Sequence, residues 1–410
     1  MNNTQLIKYA ELLIKVGVNL QKDEMLVVSA PVGAVDLVRK VVKTAYKCGA
    51  SSVDVLWNDS EISKVGFKYR SKKSLAEVPD WVVAQREHYI DKKICYLAIS
   101  SSDPEAFKGV NPEKMAISRR ASGKALKKFH DYTSSNKIRW AIGAYPNRAW
   151  AKKMFPDLKS NVAEKKLWDY IAKSVRLDCE DPILAWQEHQ ERIIKRCNIL
   201  NESKIRTFTY KNSLGTNLTV GMPKDYIFCG GAEAGALDGV PFTANLPTEE
   251  VFSCPDRRAV NGKVVSSMPL CSSGTLIKDF WFEFKDGRIV DFGAREGYDV
   301  LKNIVETDEG SHYLGEIALV GYNSPINNLN TLFYSTLFDE NASCHFAIGA
   351  CYPTCVKGGG DMTTEQLLEK GLNDSLEHVD FMIGTKDLSI TAQTEDGKDI
   401  VIFENGDWVF

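Results

Sequence analysis

Over its first two hundred residues the chain alternates short apolar runs with stretches in which apolar side chains recur every three or four positions. Met25-Leu26-Val27-Val28 has the texture of a buried strand. Val35, Val38, Val41, Val42 and Ala45 follow at helical spacing, Gly49 closes that helix, and Val53 to Trp57 makes a second strand. Strand, helix and strand in this order form a βαβ unit, which implies a parallel sheet with a right-handed crossover. Ile94 to Ile99, a helix over Ser118 to Tyr132 and a strand over Ile138 to Ile142 extend the alternation. Leu6 to Val18 precedes it as a helix with Lys8, Glu11 and Lys15 at polar positions.

Two more helices are predicted over Ala163 to Asn198, broken at Asp181-Pro182, with Trp168, Trp186 and His189 as packing or surface groups. Beyond Asn201 strands dominate. Ile205 to Tyr210 and Asn217 to Val220 alternate with period two. Phe280 to Phe284 and Ile289 to Phe292 flank Asp286-Gly287, a pair suited to a tight type I′ hairpin. The expected architecture is therefore an α/β N-terminal domain with a parallel sheet over 1–190, followed by an α+β mixed-sheet domain over 191–410.

Composition narrows the class. A chain of 410 residues with 44% hydrophobic content can bury a large core. The 51 basic and 54 acidic side chains give a net charge of −3, and no basic stripe stands out, which argues against nucleic acid or an anionic membrane as partner. No secretory leader or membrane-spanning run is evident, so a cytoplasmic location is expected. The ten cysteines lack a repeated spacing, and Cys351 and Cys355, the closest pair, lack a third and fourth thiolate nearby in sequence for a zinc site. After the first strand, Ser29-Ala30-Pro31-Val32-Gly33 lacks the glycine trio of a dinucleotide loop, and no phosphate-binding loop occurs elsewhere. The first domain is thus expected to be α/β scaffolding without a nucleotide, the alternative being that it shapes the substrate entrance or a subunit contact.

The chemistry gathers between Glu316 and Asp380. His378 and Asp380 are two apart before Phe381-Met382-Ile383, so on a strand both face one way and can chelate one cation. Glu316 sits in the apolar strand pattern Leu314 to Val320. Glu340 and His345 are five apart, and can meet one ion only if the chain bends through Asn341-Ala342-Ser343. Clustered buried carboxylates repel, and divalent cations would compensate them. Taken singly, Glu316 can equally be a paired structural carboxylate and His345 a satisfied core histidine.

The segments Asn245-Leu246-Pro247-Thr248-Glu249-Glu250-Val251-Phe252, Leu314-Gly315-Glu316, Asp339-Glu340-Asn341-Ala342 with His345, Tyr352-Pro353 and Glu377-His378-Val379-Asp380 together resemble the signature of the metallo-aminopeptidase family that includes aminopeptidase T, aminopeptidase S and PepS. The resemblance spans essentially the whole chain. It implies a site for two divalent ions, held by Glu250, Glu316, Glu340, His345, His378 and Asp380, with Glu316 bridging and Tyr352 steadying the reacting carbonyl oxygen. It also implies release of single residues from peptides with a free N-terminus, by a homodimer that encloses its sites.

Zinc, cobalt and manganese all suit such a donor set. The leading expectation is therefore a metal-dependent aminopeptidase that activates water between two metals. A metal-dependent hydrolase of another small amide or ester is the alternative, and a noncatalytic binding protein with a structural acidic cluster is a third. His312 is a possible neighbour of the site. The glycine clusters Gly230-Gly231 and Gly358-Gly359-Gly360 either let backbone approach a bound peptide or, for the second, form a loop before a helix near Thr363.

Overall fold

The computed structural model describes residues 2–101, 103–272 and 274–410. They fall into two units: residues 1–187 with 232–247, and residues 188–231 with 248–410.

The first unit is built on four parallel strands, β1 (Met25–Pro31), β2 (Ser52–Asn58), β3 (Cys95–Ser100) and β4 (Trp140–Ala144), in the order β2-β1-β3-β4. Helix α1 (Asn3–Leu12) opens on a capping box. The Asn2 side chain accepts from the Gln5 amide, and the Gln5 side chain accepts in return from the Asn2 amide. Helix α2 (Val35–Lys47) buries Leu37, Val38, Val41 and Ala45, the stripe expected of a 3.6-residue period. The single helix predicted over Ser118 to Tyr132 is two, Pro112–Ala125 and Lys127–Ser134. Pro112 is pre-set for a first helical turn, and the Asn111 side chain caps it, which moves the start upstream of the apolar pattern.

Residues 232–247 return to this unit from later in the chain, a crossing that local periodicity does not report. The open edge of β4 explains it. Ile142 donates to the Ala244 carbonyl at 2.7 Å, and Leu246 donates to the Ile142 carbonyl at 2.9 Å, so the returning segment covers backbone groups that would otherwise be unpaired. Arg139, 3% exposed, fastens the same segment. It pairs with Glu24 and with Asp238 at 3.0 Å, and donates to the Val18 and Asn19 carbonyls, each at 2.6 Å. Arg139→Met keeps the stem but strands these acceptors. It is expected to cost on the order of 2–3 kcal/mol, read as a lower midpoint for chemical denaturation.

The second unit carries a nine-stranded sheet and a separate four-stranded one. The mixed sheet expected here resolves into antiparallel ladders throughout the named strand pairs. The hairpin of Thr275–Lys285 and Arg288–Glu296 turns at Asp286-Gly287, both at positive φ, 49° and 85°. The smaller sheet runs in the order His378–Met382, His345–Gly349, Leu314–Leu319, Val251–Ser253. Its two faces differ in chemistry. Phe346 and Phe381 turn one way, into the core with Tyr210 (4.9 Å from Phe346 between ring centroids) and Phe282 (5.1 Å from Phe381). Because side chains alternate along a strand, His345, His378 and Asp380 must turn the other way. Among the described residues no helix is long and apolar enough to cross a membrane.

Candidate metal centre

Strand register draws the distant sequence segments together. Glu316 pairs with Ala347, and Ala347 pairs with Asp380, so the two carboxylates flank an alanine across three adjacent strands. His345 lies opposite Ala318 on one side and Met382 on the other, while His378 lies opposite Gly349. Glu250 enters one residue before the Val251–Ser253 strand, whose partner is the Glu316 strand. The bend required between Glu340 and His345 is present. Glu340–Ala342 forms a 3₁₀ turn, Ser343 is extended, and the next strand starts at His345.

Two groups of donors result, and Glu316 belongs to both. Glu250, Glu316 and His345 form one; Glu316, His378 and Asp380 form the other, with the ligand atoms of each group all within 4.8 Å of one another. His345 Nε2 lies 3.1 Å from Glu250 Oε2 and 3.5 Å from Glu316 Oε1. His378 Nε2 lies 3.7 Å from Glu316 Oε2 and 3.3 Å from Asp380 Oδ1. The two oxygens of Glu316 thus face different histidines. Each ring is oriented by its other nitrogen: Nδ1 of His345 donates to the Ser343 carbonyl at 3.2 Å, and Nδ1 of His378 to the Ala350 carbonyl at 2.7 Å. With Nδ1 committed as donor, Nε2 of each neutral imidazole carries the lone pair a cation needs.

Glu340 stands outside both groups but shares their field. Burial and the charges of Asp380 and Glu250 push its carboxyl well above the usual range. Burial likewise raises Glu316, helped by Glu250 and Asp380 and opposed by the hydrogen bond to His345. Burial works against charge on His378, yet Asp380 and Glu316 outweigh it and lift that pKa to about 10. His345 is raised in the same way, with Glu250 and Glu316 overcoming burial. Even with both imidazoles protonated, four carboxylates outnumber them. A cluster of oxygen and nitrogen donors with excess negative charge, shielded from water, fits divalent cations.

Tyr352 packs edge-on against His378, 5.2 Å between ring centroids, and against Phe252 at 5.9 Å. Burial and then the charge of Glu316 hold its phenol well above its ordinary pKa, so it remains a donor. His312 belongs to neither group; its Nδ1 faces the Asp308 carbonyl at 3.2 Å.

Several residues that hold the centre carry no signal in sequence spacing. Asn341, noted only as turn-forming, accepts from the Glu249 amide at 2.7 Å and donates to the Leu337 carbonyl at 3.2 Å, which ties the Glu250 segment to the Glu340 turn. His189 is buried against the Thr248 carbonyl at 2.9 Å rather than lying on a helix surface. Ala347 keeps the space between Glu316 and Asp380 clear by being small. Gly230, at φ +148°, lies so close to the Glu250 carbonyl that a Cβ would sit 2.5 Å from it. That glycine therefore admits the Glu250 backbone. The second cluster precedes the helix Thr364–Glu369, which Thr363 caps.

The chain is similar to known proteins over nearly its whole length. The family model described as thermophilic metalloprotease (M29) matches residues 2–408. Aminopeptidase AmpS of Bacillus subtilis is 42% identical over 404 residues, 98% of each chain. Aminopeptidase 2 of Geobacillus stearothermophilus is 41% identical over 406 residues, 99% of this chain and 98% of that one. The solved structure of wild-type AmpT from Thermus thermophilus superposes with a TM-score of 0.92 at 35% identity, covering 99% of both chains.

Proposed function

The chain belongs to the thermophilic metalloprotease family M29 and is a metal-dependent aminopeptidase, and from that premise we propose that Glu250, Glu316, Glu340, His345, His378 and Asp380 hold two divalent cations at its catalytic centre. One observation carries the reading: the oxygens of Glu316 are divided between two donor groups, as a bridging carboxylate requires. Glu250 and His345 then complete one position, His378 and Asp380 the other, and Glu340 supplies a further oxygen at the rim. Zinc, cobalt and manganese are the candidate ions. When bound, the cations supply Lewis acidity that polarises a peptide carbonyl and brings the pKa of water towards neutrality.

The chain's own groups do the rest. The Nδ1 bonds of His345 and His378 hold both rings in register before substrate arrives, so no reorientation is needed during reaction. The Tyr352 phenol donates to the carbonyl oxygen as negative charge develops on it. The substrate's free α-amine is received by a carboxylate of the cluster such as Glu250 or by one of the cations directly. Tyr352→Phe is expected to lower kcat by about 10²-fold with little change in KM, the signature of a donor used mainly in the transition state; equal loss in both parameters would reject that role.

The central test uses a panel of aminoacyl fluorogenic amides, free and N-acetylated, with metal-stripped protein before and after addition of zinc, cobalt or manganese. Restored hydrolysis confined to free amines is the expected result. Restored hydrolysis indifferent to acetylation would instead support a general amide or ester hydrolase. The reading extends to a cytoplasmic homodimer acting on peptides, and light scattering at twice the chain mass would support the dimer.

A further inference from the structure

Cys351 and Cys355 look isolated in sequence, but folding supplies two more thiols. Cys254 and Cys355 share one small buried cluster with Cys351 packed against it, and side-chain interactions link Cys351 to Cys254, Cys254 to Cys355 and Cys355 to Cys229 in a row. The ends of the row, Cys351 and Cys229, are half-buried; the middle pair, Cys254 and Cys355, are buried. Backbone contacts fix the row: Cys254 Sγ donates to the Cys355 carbonyl at 3.6 Å, Cys229 Sγ to the Thr354 carbonyl at 3.7 Å, and the Asn373 amide donates to Cys351 Sγ at 3.0 Å. Cys254 and Cys351 are both present as thiols, with no disulfide between them.

The row is joined to the proposed catalytic groups through neighbouring residues. Cys254 follows the Val251–Ser253 strand, which Glu250 immediately precedes, and Cys351 immediately precedes Tyr352. Phe252 and Tyr352 pack on the same small cluster as the buried thiols. A covalent link between Cys254 and Cys351 would therefore join the segments that carry Glu250 and Tyr352.

We propose that this row is an oxidative modification site, at which hydrogen peroxide converts the Cys351–Cys254 contact into a disulfide that lowers peptidase activity. Cys351, the more exposed of the two, reacts first. Its sulfur displaces one oxygen of the peroxide, giving a sulfenic acid and water. The Cys254 sulfur then attacks that sulfenic sulfur, and its proton leaves with the hydroxyl as a second water. Two thiols are oxidised and one peroxide is reduced. Burial pushes the Cys254 thiol well above its usual range and shields it from peroxide, so the first step falls to Cys351 and Cys254 takes part only through its packing beside Cys351. The activity consequence rests on the aminopeptidase reading; the disulfide itself does not.

The test treats the full-length, metal-stripped protein with hydrogen peroxide, blocks remaining thiols by alkylation, maps disulfides by peptide mass spectrometry, and assays a parallel unblocked sample after metal is restored. The expected result is a Cys254–Cys351 cross-link with loss of two hydrogens, and a fall in activity of about 10–100-fold, the scale on which small displacements of catalytic groups act. Dithiothreitol should reverse both. Cys351→Ser and Cys254→Ser, each independently, should retain activity after peroxide. A different cross-link, no cross-link, or peroxide sensitivity in either variant equal to that of the unsubstituted protein would overturn the proposal. If untreated protein failed to cleave free-amine substrates while the cross-link mapped as expected, the aminopeptidase reading would fall and the modification site would stand.

Discussion

Glu316→Gln should reduce kcat/KM by at least about 10³-fold, equivalent to about 4 kcal/mol of transition-state stabilisation. The amide keeps the volume and one oxygen of the side chain but loses the charge and the second acceptor. In the native arrangement one oxygen faces His345 and the other His378, so the substitution takes the carboxylate charge from both groups at once and leaves an oxygen donor in only one of them. Loss at only one position would be expected for His378→Asn or Glu250→Gln, which each touch a single group. Metal analysis of the purified variant should show fewer than two tightly held ions per chain. Far-ultraviolet circular dichroism should stay unchanged, because Ile317 and the aromatic residues on the opposite face still hold the sheet against the core. Wild-type activity with a full metal complement in Glu316→Gln would refute the bridging assignment.

Removal of metal should reverse the pH dependence usually associated with carboxylate-rich proteins. In the stripped protein His378 has its pKa raised from 6.5 to about 10, and His345, Glu316 and Glu340 are raised as well. A raised folded pKa means that the folded state holds more protons than the unfolded chain across the interval, so stability falls as pH rises. The His378 contribution is complete below pH 6.5 and is lost as pH climbs through about 10. For that group alone the loss is on the order of 2–4 kcal/mol, to which the raised carboxyl groups add in the same direction at lower pH.

Asp380 runs the opposite way. Burial would raise its pKa, but His378 and His345 hold it below the ordinary value, so its contribution is lost only in acid. Chemical denaturation of chelator-treated protein between pH 6.5 and 10 should therefore show a falling midpoint. Cations replace the bound protons, so reloading should flatten that dependence and release protons into the buffer, measurable by calorimetry in buffers of different ionisation enthalpy. A stripped protein equally stable at both ends of the range would contradict the protonated cluster.

Much of this protein was legible one segment at a time. The alternation in β1, α2 and β2 specified the parallel sheet, because each helical or extended period depends on residues only a few positions apart. The same local rule put His378 and Asp380 on one side of their strand. The family likeness named six donors, whereas spacing alone left Glu316 and His345 open to structural readings.

What the sequence by itself determined was which elements form, which side chains share a face, and which residue types were available to bind a cation. The tertiary structure decided that Glu316 joins two donor groups while Glu340 stands beside them, that Ala347 separates two carboxylates, that Asn341 ties two ligand segments, and that four scattered cysteines make one row. It also decided that residues 232–247 return to the edge of β4. The reason is physical. A period of two or 3.6 is a property of neighbouring residues, but strand register is selected by burying Phe346 and Phe381 against Tyr210 and Phe282 from distant segments, and the ligand face inherits its geometry from that choice.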